Sequence, residues 1–361
     1  MNTIASATPQ PYDAFLLVSF GGPEGPDDVL PFLENVLRGK NVPRERMLEV
    51  AEHYQHFGGV SPINAQNREL LAALADAFSK AGISIPLYWG NRNWSPFLVD
   101  TVGSMATSGH RRVLAFFTSM FSCYSGCRQY RENLADACTQ VGKDAPAIEK
   151  LRFGFNHPGF IRAMQCRVHE AAASLREETT ATPLLLFTAH SIPGTMADHC
   201  DYEKQLREAC RLVSADFPEH PWELVFQSRS GPPQQAWLEP DVIDFLTQHK
   251  EHRSHDLPAV ILIPIGFISD HMEVMYDLDE EALQACKELG ISMRRAGTVG
   301  THPEFIEMIV SLVQERLDPQ RARESLGELG PWHDVCPSNC CLYPRPATTG
   351  RPAAPENRSG S

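Results

Sequence analysis

Short apolar runs alternate with amphipathic stretches along most of this chain. Runs such as 13–20, 112–118, 184–187 and 259–267 are rich in Leu, Ile, Val and Phe, and they have the length of strands buried on both faces. Between them, stretches such as 63–81 repeat apolar residues every three or four positions, as amphipathic helices do. Regular alternation of strand and helix predicts an α/β fold with parallel sheets and right-handed crossovers.

The same patterns predict the whole order of elements. Strands are expected at 13–20, 85–90, 112–118, 151–155, 184–187, 223–227, 259–267 and 292–296. Helices are expected at 26–38, 43–57, 63–81, 96–107, 126–141, 158–175, 202–213, 240–248, 279–289 and 303–317. Because 361 residues are many for a single core, two domains or lobes are expected.

One predicted strand end carries a candidate functional histidine. The apolar run 184–187 breaks into Thr188, Ala189, His190 and Ser191, and Pro193 prevents a helix from starting before it. Ligands of parallel α/β sheets bind just beyond the carboxyl ends of the strands, so His190 would face a cleft. A structural histidine bonded to the backbone fits this stretch equally well.

A second strand end carries several acids. The run 259–267 leads into Asp270, His271 and Glu273, and then into Asp279, Glu280 and Glu281. The later three are interpreted as the first turns of a helix, where the helix dipole favours acids. That interpretation does not cover Glu273, which would share a cleft rim with His190. One imidazole and one carboxylate can bind Fe²⁺ transiently or move protons.

Composition and charge exclude several classes of protein. A net charge of −13 makes nucleic acid an improbable partner, because phosphate binding needs a basic surface. No apolar run approaches the length of about 18 residues that a membrane span needs. The start, MNTIASATPQPYD, does not have the pattern of a secretory signal, so a cytoplasmic protein is expected. Its ten cysteines are then free thiols or metal ligands.

Three cysteines lie together near the C terminus. Cys336, Cys340 and Cys341 sit in a Pro-rich segment, where burial as small apolar residues is not expected. Three thiolates need a fourth ligand to complete a closed site, either a [2Fe–2S] cluster or a structural zinc. Idle or redox-active thiols are the alternative.

Several segments together resemble the ferrochelatases, the enzymes that insert ferrous iron into a porphyrin. They are LLVSFGGPEGPDDV at 16–29, HYQHFGGVSPINAQ at 53–66, TSMFSCYSGCRQYREN at 118–133, FNHPGF at 155–160, TAHSIP at 188–193 and SDHMEVMYDLD at 269–279. The resemblance implies a lyase with two Rossmann-like, chelatase-type lobes, each a parallel sheet flanked by helices, with porphyrin between them. The implied divisions are 1–11 disordered, 12–150 first lobe completed by a C-terminal helix at 302–317, 151–301 second lobe, 318–344 cysteine-containing extension and 345–361 disordered tail.

The resemblance also implies roles for individual residues. His190 and Glu273 match the metal pair that faces the porphyrin centre, while Ser61 and Tyr130 match positions that hold the macrocycle or its propionates. A hydroxyl and a phenol can both donate hydrogen bonds to carboxylates. Helix capping by Ser61 and core packing by Tyr130 are the structural alternatives. Arg128 and Arg131 flank Tyr130, and they either pair with propionates or are solvated charges on a helix.

Two features bear on the substrate. Many family members carry a tyrosine after the first strand that can ligate metal from the other porphyrin face, but this chain has Phe20, which cannot be a ligand. The segments FGGPEGPDD and YSGCRQYREN resemble the actinobacterial type of the family, which is associated with coproporphyrin III, giving coprohaem. Protoporphyrin IX is the alternative substrate.

The chemistry implied is specific. Iron can enter only if two pyrrole protons leave, and a clamp that bends the macrocycle exposes nitrogen lone pairs. The hypothesis is that His190 accepts protons while Glu273 receives protons or stages Fe²⁺. Which residue delivers iron stays open.

The resemblance suggests Cys166 as the fourth cluster ligand, because some ferrochelatases bind a [2Fe–2S] cluster through one mid-chain cysteine and three near the C terminus. Cys123 and Cys127 are weaker alternatives. The vicinal pair Cys340–Cys341 is an awkward but workable ligand pair.

Other functions are less consistent with the sequence. A cobalt chelatase shares the architecture but generally lacks the cysteine tail. A non-catalytic porphyrin-binding or iron–sulfur sensor protein would not need both His190 and Glu273. A generic Rossmann oxidoreductase is disfavoured because no G-x-G-x-x-G follows the first strand. The acidic net charge argues against attraction to anionic lipid.

Overall fold

The computed structural model describes residues 11–39, 42–231, 234–252 and 257–343. Disorder was expected at 1–11 and 345–361, and of these ranges all but residue 11 lies outside the described residues. The strands are β1 (Ala14–Ser19), β2 (Leu87–Asn91), β3 (Arg112–Phe117), β4 (Ala147–Lys150), β5 (Leu184–His190), β6 (Trp222–Gln227), β7 (Ala259–Ile263) and β8 (Ser292–Arg295).

The described helices are α1 (Val29–Leu37), α2 (Arg44–His56), α3 (Ile63–Lys80), α4 (Leu98–Thr107), α5 (Gln129–Val141), α6 (Pro158–Leu175), α7 (Gly194–Ala197), α8 (Tyr202–Ser214), α9 (Val242–His252), α10 (Met272–Val274), α11 (Leu283–Leu289) and α12 (Pro303–Leu317). A 3₁₀ turn covers Pro26–Asp28, and π-helical turns cover Tyr124–Arg128 and Met275–Ala282. Within the described part of the chain, none of these helices is both long and apolar enough to cross a membrane.

The strands form two four-stranded parallel sheets, as predicted for an α/β protein with two lobes. The orders are β2-β1-β3-β4 and β6-β5-β7-β8, so both sheets are wound in the same way. In each sheet the chain moves first to one side of its opening strand and then to the other. The point where the direction reverses lies between β1 and β3 in one sheet and between β5 and β7 in the other. Such switch points open a crevice at the carboxyl ends of the strands.

Alternate residues of β5 pack into different cores. Leu185, Phe187 and Ala189 join a large core that also contains β1, β3, α6 and α12, whereas Leu184 and Leu186 join a smaller core on the other face of the sheet. Both faces are therefore buried, which explains the continuous apolar run. Helix α12 packs against both α6 and α3.

Several predicted strands have different bounds in the structure, and two of them differ most: the fourth strand and β7. The strand predicted at 151–155 is wrong: the fourth strand is Ala147–Lys150, which pairs with β3. Its sequence AIEK mixes charged and apolar residues, whereas Leu151, Phe153 and Phe155 are buried without strand geometry. Strand β7 ends at Ile263, before the predicted end at 267, because Pro264 has no N–H for the ladder.

The helix predicted at 279–289 starts earlier. Helical structure begins at Met272 and continues through the π-helical turns into α11. The interpretation of Asp279, Glu280 and Glu281 as a first helical turn is therefore wrong, because these residues lie within the π-helical segment. Glu273 takes the first-turn position instead.

Candidate active site

His190 is the last residue of β5, and its surroundings hold it in one orientation. The Ser191 N–H donates to the Gln227 carbonyl at 2.8 Å, and the buried Tyr202 hydroxyl donates to the His190 carbonyl at 3.1 Å. Nδ1 of His190 faces the Ser191 carbonyl, which can only accept, so Nδ1 carries the hydrogen. In the neutral ring, Nε2 is then left with a free lone pair.

Glu273 reaches the same place from β7. The Gly266 N–H donates to the Thr188 carbonyl at 3.1 Å, so the chain after β7 crosses the end of β5. A Cβ at Gly266 would lie 2.7 Å from the Ala189 Cβ, and only glycine permits that approach. The Gln227 side chain then donates to the Glu273 carbonyl at 3.4 Å. These contacts place the first helical turn over the ends of β5 and β6.

The two predicted metal-pair side chains come together at the switch point of the second sheet. His190 Nε2 lies 3.7 Å from Glu273 Oε2, and the side chains are 32% and 51% exposed. Both side chains are therefore accessible from the cleft. His190 combines both interpretations of its strand end, because Nδ1 bonds the backbone while Nε2 remains available.

His271 extends the site. Its Nδ1 lies 3.9 Å from the same Glu273 oxygen. Burial lowers the pKa of His271, the charge on Glu273 opposes that change, and the nearby His190 reinforces it. A lowered pKa favours the neutral imidazole, which retains a lone pair.

Asp277 is a site residue that sequence analysis did not single out. Burial raises the pKa of its carboxyl to about 7, a hydrogen bond from Ser228 opposes the rise, and the charge on Glu273 adds to it. The Gln227 side chain also donates to Asp277, at 3.3 Å. Ser228 adopts φ of 63°, a left-handed conformation that is uncommon outside glycine. In the sequence, Asp277 appears only as one residue of the segment SDHMEVMYDLD, four positions after Glu273.

The first lobe directly contacts the acidic helix, which is the helical segment 272–282 of the second lobe. The ring of His53 stacks on Tyr276 with centroids 4.0 Å apart, and His56 Nε2 lies 2.8 Å from Glu280. Burial and the charge on Glu273 both raise the pKa of the Tyr54 hydroxyl. Helix α2 of one lobe and the acidic helix of the other therefore enclose one side of the cleft.

Ser61 lies in a tightly packed glycine turn. Its side chain is 4% exposed, and its N–H donates to the Pro23 carbonyl at 2.9 Å. A Cβ at Gly22 would come within 2.7 Å of the Ser61 Cβ. A Cβ at Gly59, where φ is 74°, would lie 2.4 Å from the Pro26 Cα. The turn therefore locks the segment after β1 against the start of α3. Pro62 is the N-cap residue of α3, so Ser61 does not cap that helix.

Tyr130 and Phe20 share a cation that the sequence did not reveal. The Arg92 guanidinium lies 4.4 Å from the Tyr130 ring centroid and 5.6 Å from that of Phe20. Tyr130 is 5% exposed, and its ring packs on that of Phe117 with centroids 5.3 Å apart. Phe20 packs edge-on against Phe32.

Two of the tail cysteines lie close to a histidine and to the third cysteine. Cys340 Sγ lies 3.5 Å from Cys341 Sγ, and ligand atoms of His333, Cys336 and Cys340 lie within 4.8 Å of one another. The buried Cys127 lies in the segment between β3 and α5, next to Arg128, which donates to the Ser338 and Cys340 carbonyls of the tail. No hydrogen bond joins Cys166 to any of the tail cysteines in the described residues.

Comparison with known proteins identifies the family. A family model described as ferrochelatase matches residues 12–317. A Rhodopirellula baltica protein named ferrochelatase is 64% identical over 345 residues, covering 95% of this chain and 97% of that protein. A Streptomyces coelicolor protein named coproporphyrin III ferrochelatase is 50% identical, covering 94% of this chain and 96% of that protein.

A solved structure supports the fold. SirB from Bacillus subtilis with Fe³⁺ aligns with a TM-score of 0.54 and 10% identity, over 87% of this chain and 99% of that one. At that identity the likeness shows the two-lobed architecture alone. The family model and the relatives together show that this chain belongs to the ferrochelatase family. It is an enzyme of the lyase class, which inserts ferrous iron into a porphyrin in haem biosynthesis.

The raised pKa of Asp277 predicts a specific dependence of stability on pH. Between the ordinary value of 3.8 and about 7, the folded protein binds a proton at Asp277 that the unfolded chain has lost. The stabilisation of the fold by this proton is complete below pH 3.8, and it disappears as the pH rises through about 7. The free energy of unfolding of wild type, relative to Asp277→Asn, should fall over that range in urea titrations. Asp76→Asn, at an exposed helical position, is the control, and the same pH dependence in both variants would contradict the prediction.

Proposed function

We propose that this member of the ferrochelatase family acts on coproporphyrin III and releases coprohaem. Streptomyces coelicolor and Streptomyces griseus relatives that are 50% and 48% identical carry the name coproporphyrin III ferrochelatase. The actinobacterial-type segments FGGPEGPDD and YSGCRQYREN support the same substrate. Protoporphyrin IX is the alternative porphyrin.

The observation that carries the proposed mechanism is the open pair His190–Glu273 at the switch point. We assign proton acceptance to His190, because its Nδ1 donates to the backbone and leaves Nε2 with a lone pair directed toward the carboxylate. Two pyrrole protons must leave as Fe²⁺ enters the ring. Glu273, 3.7 Å from Nε2, takes protons onward or stages Fe²⁺ before insertion.

The first lobe provides the surface against which the macrocycle would bind. Ser61 and Tyr130 are proposed to line it, with Arg92 supplying a cation for a propionate. Arg128 is less suited to that role, because it donates to Ser338 and Cys340 carbonyls and pairs with Glu132. Phe20 contributes an apolar ring to this surface, and that ring cannot ligate the metal.

The tail thiols suit a resident [2Fe–2S] cluster. Cys336, Cys340 and Cys341 supply three thiolates, and the Nε2 atom of His333 is buried without a hydrogen-bond partner beside them. A cluster bound there would supply one-electron redox chemistry or a covalent cross-link between segments.

We also propose that the protein is cytoplasmic. We propose that its first lobe consists of residues 12–150 together with α12, and its second lobe of residues 151–301.

Removing either member of the pair should abolish iron insertion. His190→Ala and Glu273→Ala are expected to lower kcat by about 10²–10⁴-fold, the usual contribution of a positioned acid or base. Porphyrin binding, followed by fluorescence quenching, should change little, because neither side chain supplies the walls of the cleft. Matched controls are His199→Ala and Glu219→Ala at exposed positions. Near-normal turnover of either site variant would refute the assignment.

Substrate choice is tested by competition. Equal concentrations of coproporphyrin III and protoporphyrin IX are supplied with Fe²⁺ under anaerobic conditions, and both metallated products are quantified by chromatography. The expected result is a higher kcat/KM for coproporphyrin III, since its additional carboxylates offer more partners for hydroxyl and guanidinium donors. Preferential metallation of protoporphyrin IX would overturn the substrate assignment but not the activity.

A further inference from the structure

One guanidinium joins both ends of the segment that carries Glu273. Arg295 is the last residue of β8. Its Nε and Nη2 donate to the two oxygens of Asp279, at 2.5 and 3.0 Å, and its Nη1 donates to Asp270 at 3.1 Å. Asp270 precedes Glu273 in the sequence, and Asp279 follows it. The two carboxylates that Arg295 binds therefore lie on either side of Glu273 along the chain.

The sheet fixes the position of Arg295. This residue lies opposite Leu262 in the parallel pairing of β8 with β7, and the N–H of Ala296 donates to the Leu262 carbonyl at 2.8 Å. The Arg295 side chain is only 17% exposed. A planar guanidinium that binds one carboxylate through two parallel hydrogen bonds has little freedom to rotate. The end of β8 is therefore a rigid point of attachment for the acidic helix.

The acidic helix needs such an attachment. Its stretch Met275–Ala282 is π-helical, a conformation that proteins use rarely and mostly in single turns. Most helical stability in proteins comes from tertiary contacts, and like charges along a helix oppose it. Segment 272–282 has no basic residue, and its carboxyl groups are those of Glu273, Asp277, Asp279, Glu280 and Glu281. Arg295 supplies both a tertiary contact and a compensating positive charge.

The first lobe also holds Asp270. The backbone N–H of Asp270 donates to Oε1 of Gln66 at 2.9 Å, and Gln66 lies near the start of α3. Ser61, which is proposed to line the porphyrin surface, comes just before that helix. Two contacts, one from each lobe, therefore set the position of the segment that leads into Glu273.

The position of this segment matters for the reactive pair. Oε2 of Glu273 lies 3.7 Å from Nε2 of His190, and the Glu273 side chain is about half exposed. Because packing around an exposed side chain does little to orient it, the backbone must hold this carboxylate at the right distance. A displacement of about 1 Å at a reacting centre can lower a rate by about 10²-fold.

We propose that Arg295 is a positioning residue for iron insertion. By binding both carboxylates at once, it holds the acidic helix in the place where Glu273 faces His190. This inference rests on the proposed role of Glu273 and adds the residue that places it. In the described part of the chain, the hydrogen bonds of Arg295 go to the two carboxylates and to the carbonyl of the next residue, and not to the reactive pair. Its effect on turnover is therefore indirect.

The test compares three variants of the full chain with wild type. Arg295→Gln removes the charge and the bidentate contact, whereas Arg295→Lys keeps the charge without the planar fork. Arg294→Gln is the matched control, because Arg294 precedes Arg295 in the same strand but binds Ser174 and Glu178. Each variant is assayed with Fe²⁺ and the porphyrin that wild type metallates faster, at a temperature well below every unfolding midpoint. The measured quantities are kcat, the Kd for porphyrin and the hydrogen exchange of amides 272–282.

Arg295→Gln is expected to lower kcat by about 10–100-fold, as loss of a residue that orients a functional side chain commonly does, with little change in the porphyrin Kd. Amides 272–282 should exchange faster in this variant than in Arg294→Gln, which should match wild type in kcat. Arg295→Lys should lower kcat several-fold, and it carries the comparison if Arg295→Gln does not fold. Folded Arg295 variants with the kcat of Arg294→Gln would overturn the inference, because a purely structural ion pair changes only the unfolding midpoint.

A double variant separates this inference from the proposed role of Glu273. If Arg295 acts through Glu273, adding Arg295→Gln to Glu273→Gln should lower the single-turnover rate by less than about twofold further. The full additional loss in the double variant would overturn the inference. Normal turnover in Arg295→Gln beside a severe loss in Glu273→Gln would overturn the inference alone. Near-normal turnover in Glu273→Gln would refute the role of Glu273, and the inference with it.

Discussion

The structure depends on one close backbone approach, at the point where β7 ends and its continuation crosses β5. Gly266 lies so near Ala189 that a side chain at this position would collide with it. The hydrogen bond from Gly266 to Thr188 fixes the crossing, and the helix carrying Glu273 begins a few residues later. Since β5 and β7 flank the switch point of their sheet, the crevice that the topology opens receives one imidazole and one carboxylate.

The first lobe repeats this arrangement with different chemistry. Phe20 follows β1, and the segment leading to Tyr130 follows β3, so the corresponding switch point presents aromatic rings and the Arg92 guanidinium. Contacts from α2 to the acidic helix join the two lobes at one side of the cleft. A flat, largely apolar ring with anionic substituents suits a cleft that has a polar reactive pair on one side and aromatic and cationic groups on the other.

Much of this could be predicted from local sequence, because buried parallel strands leave long apolar runs and amphipathic helices leave a regular period. The predicted α12 at 303–317 has the same bounds in the structure. The strand Ala147–Lys150 escaped prediction, since an edge strand needs few apolar residues. The roles of Asp277 and Arg92 could not be predicted, because a raised pKa and a cation between two rings exist only once distant segments meet. The hydrogen bonds from Arg128 to the tail are long-range contacts of the same kind.

The most direct test of the account is a crystal structure of the wild-type protein with coproporphyrin III bound. The account predicts that the macrocycle lies between the lobes, with its central nitrogens facing Nε2 of His190 and the Glu273 carboxylate, and with Phe20 against the opposite face. A porphyrin bound outside the cleft, or one whose centre faces away from the His190–Glu273 pair, would contradict it.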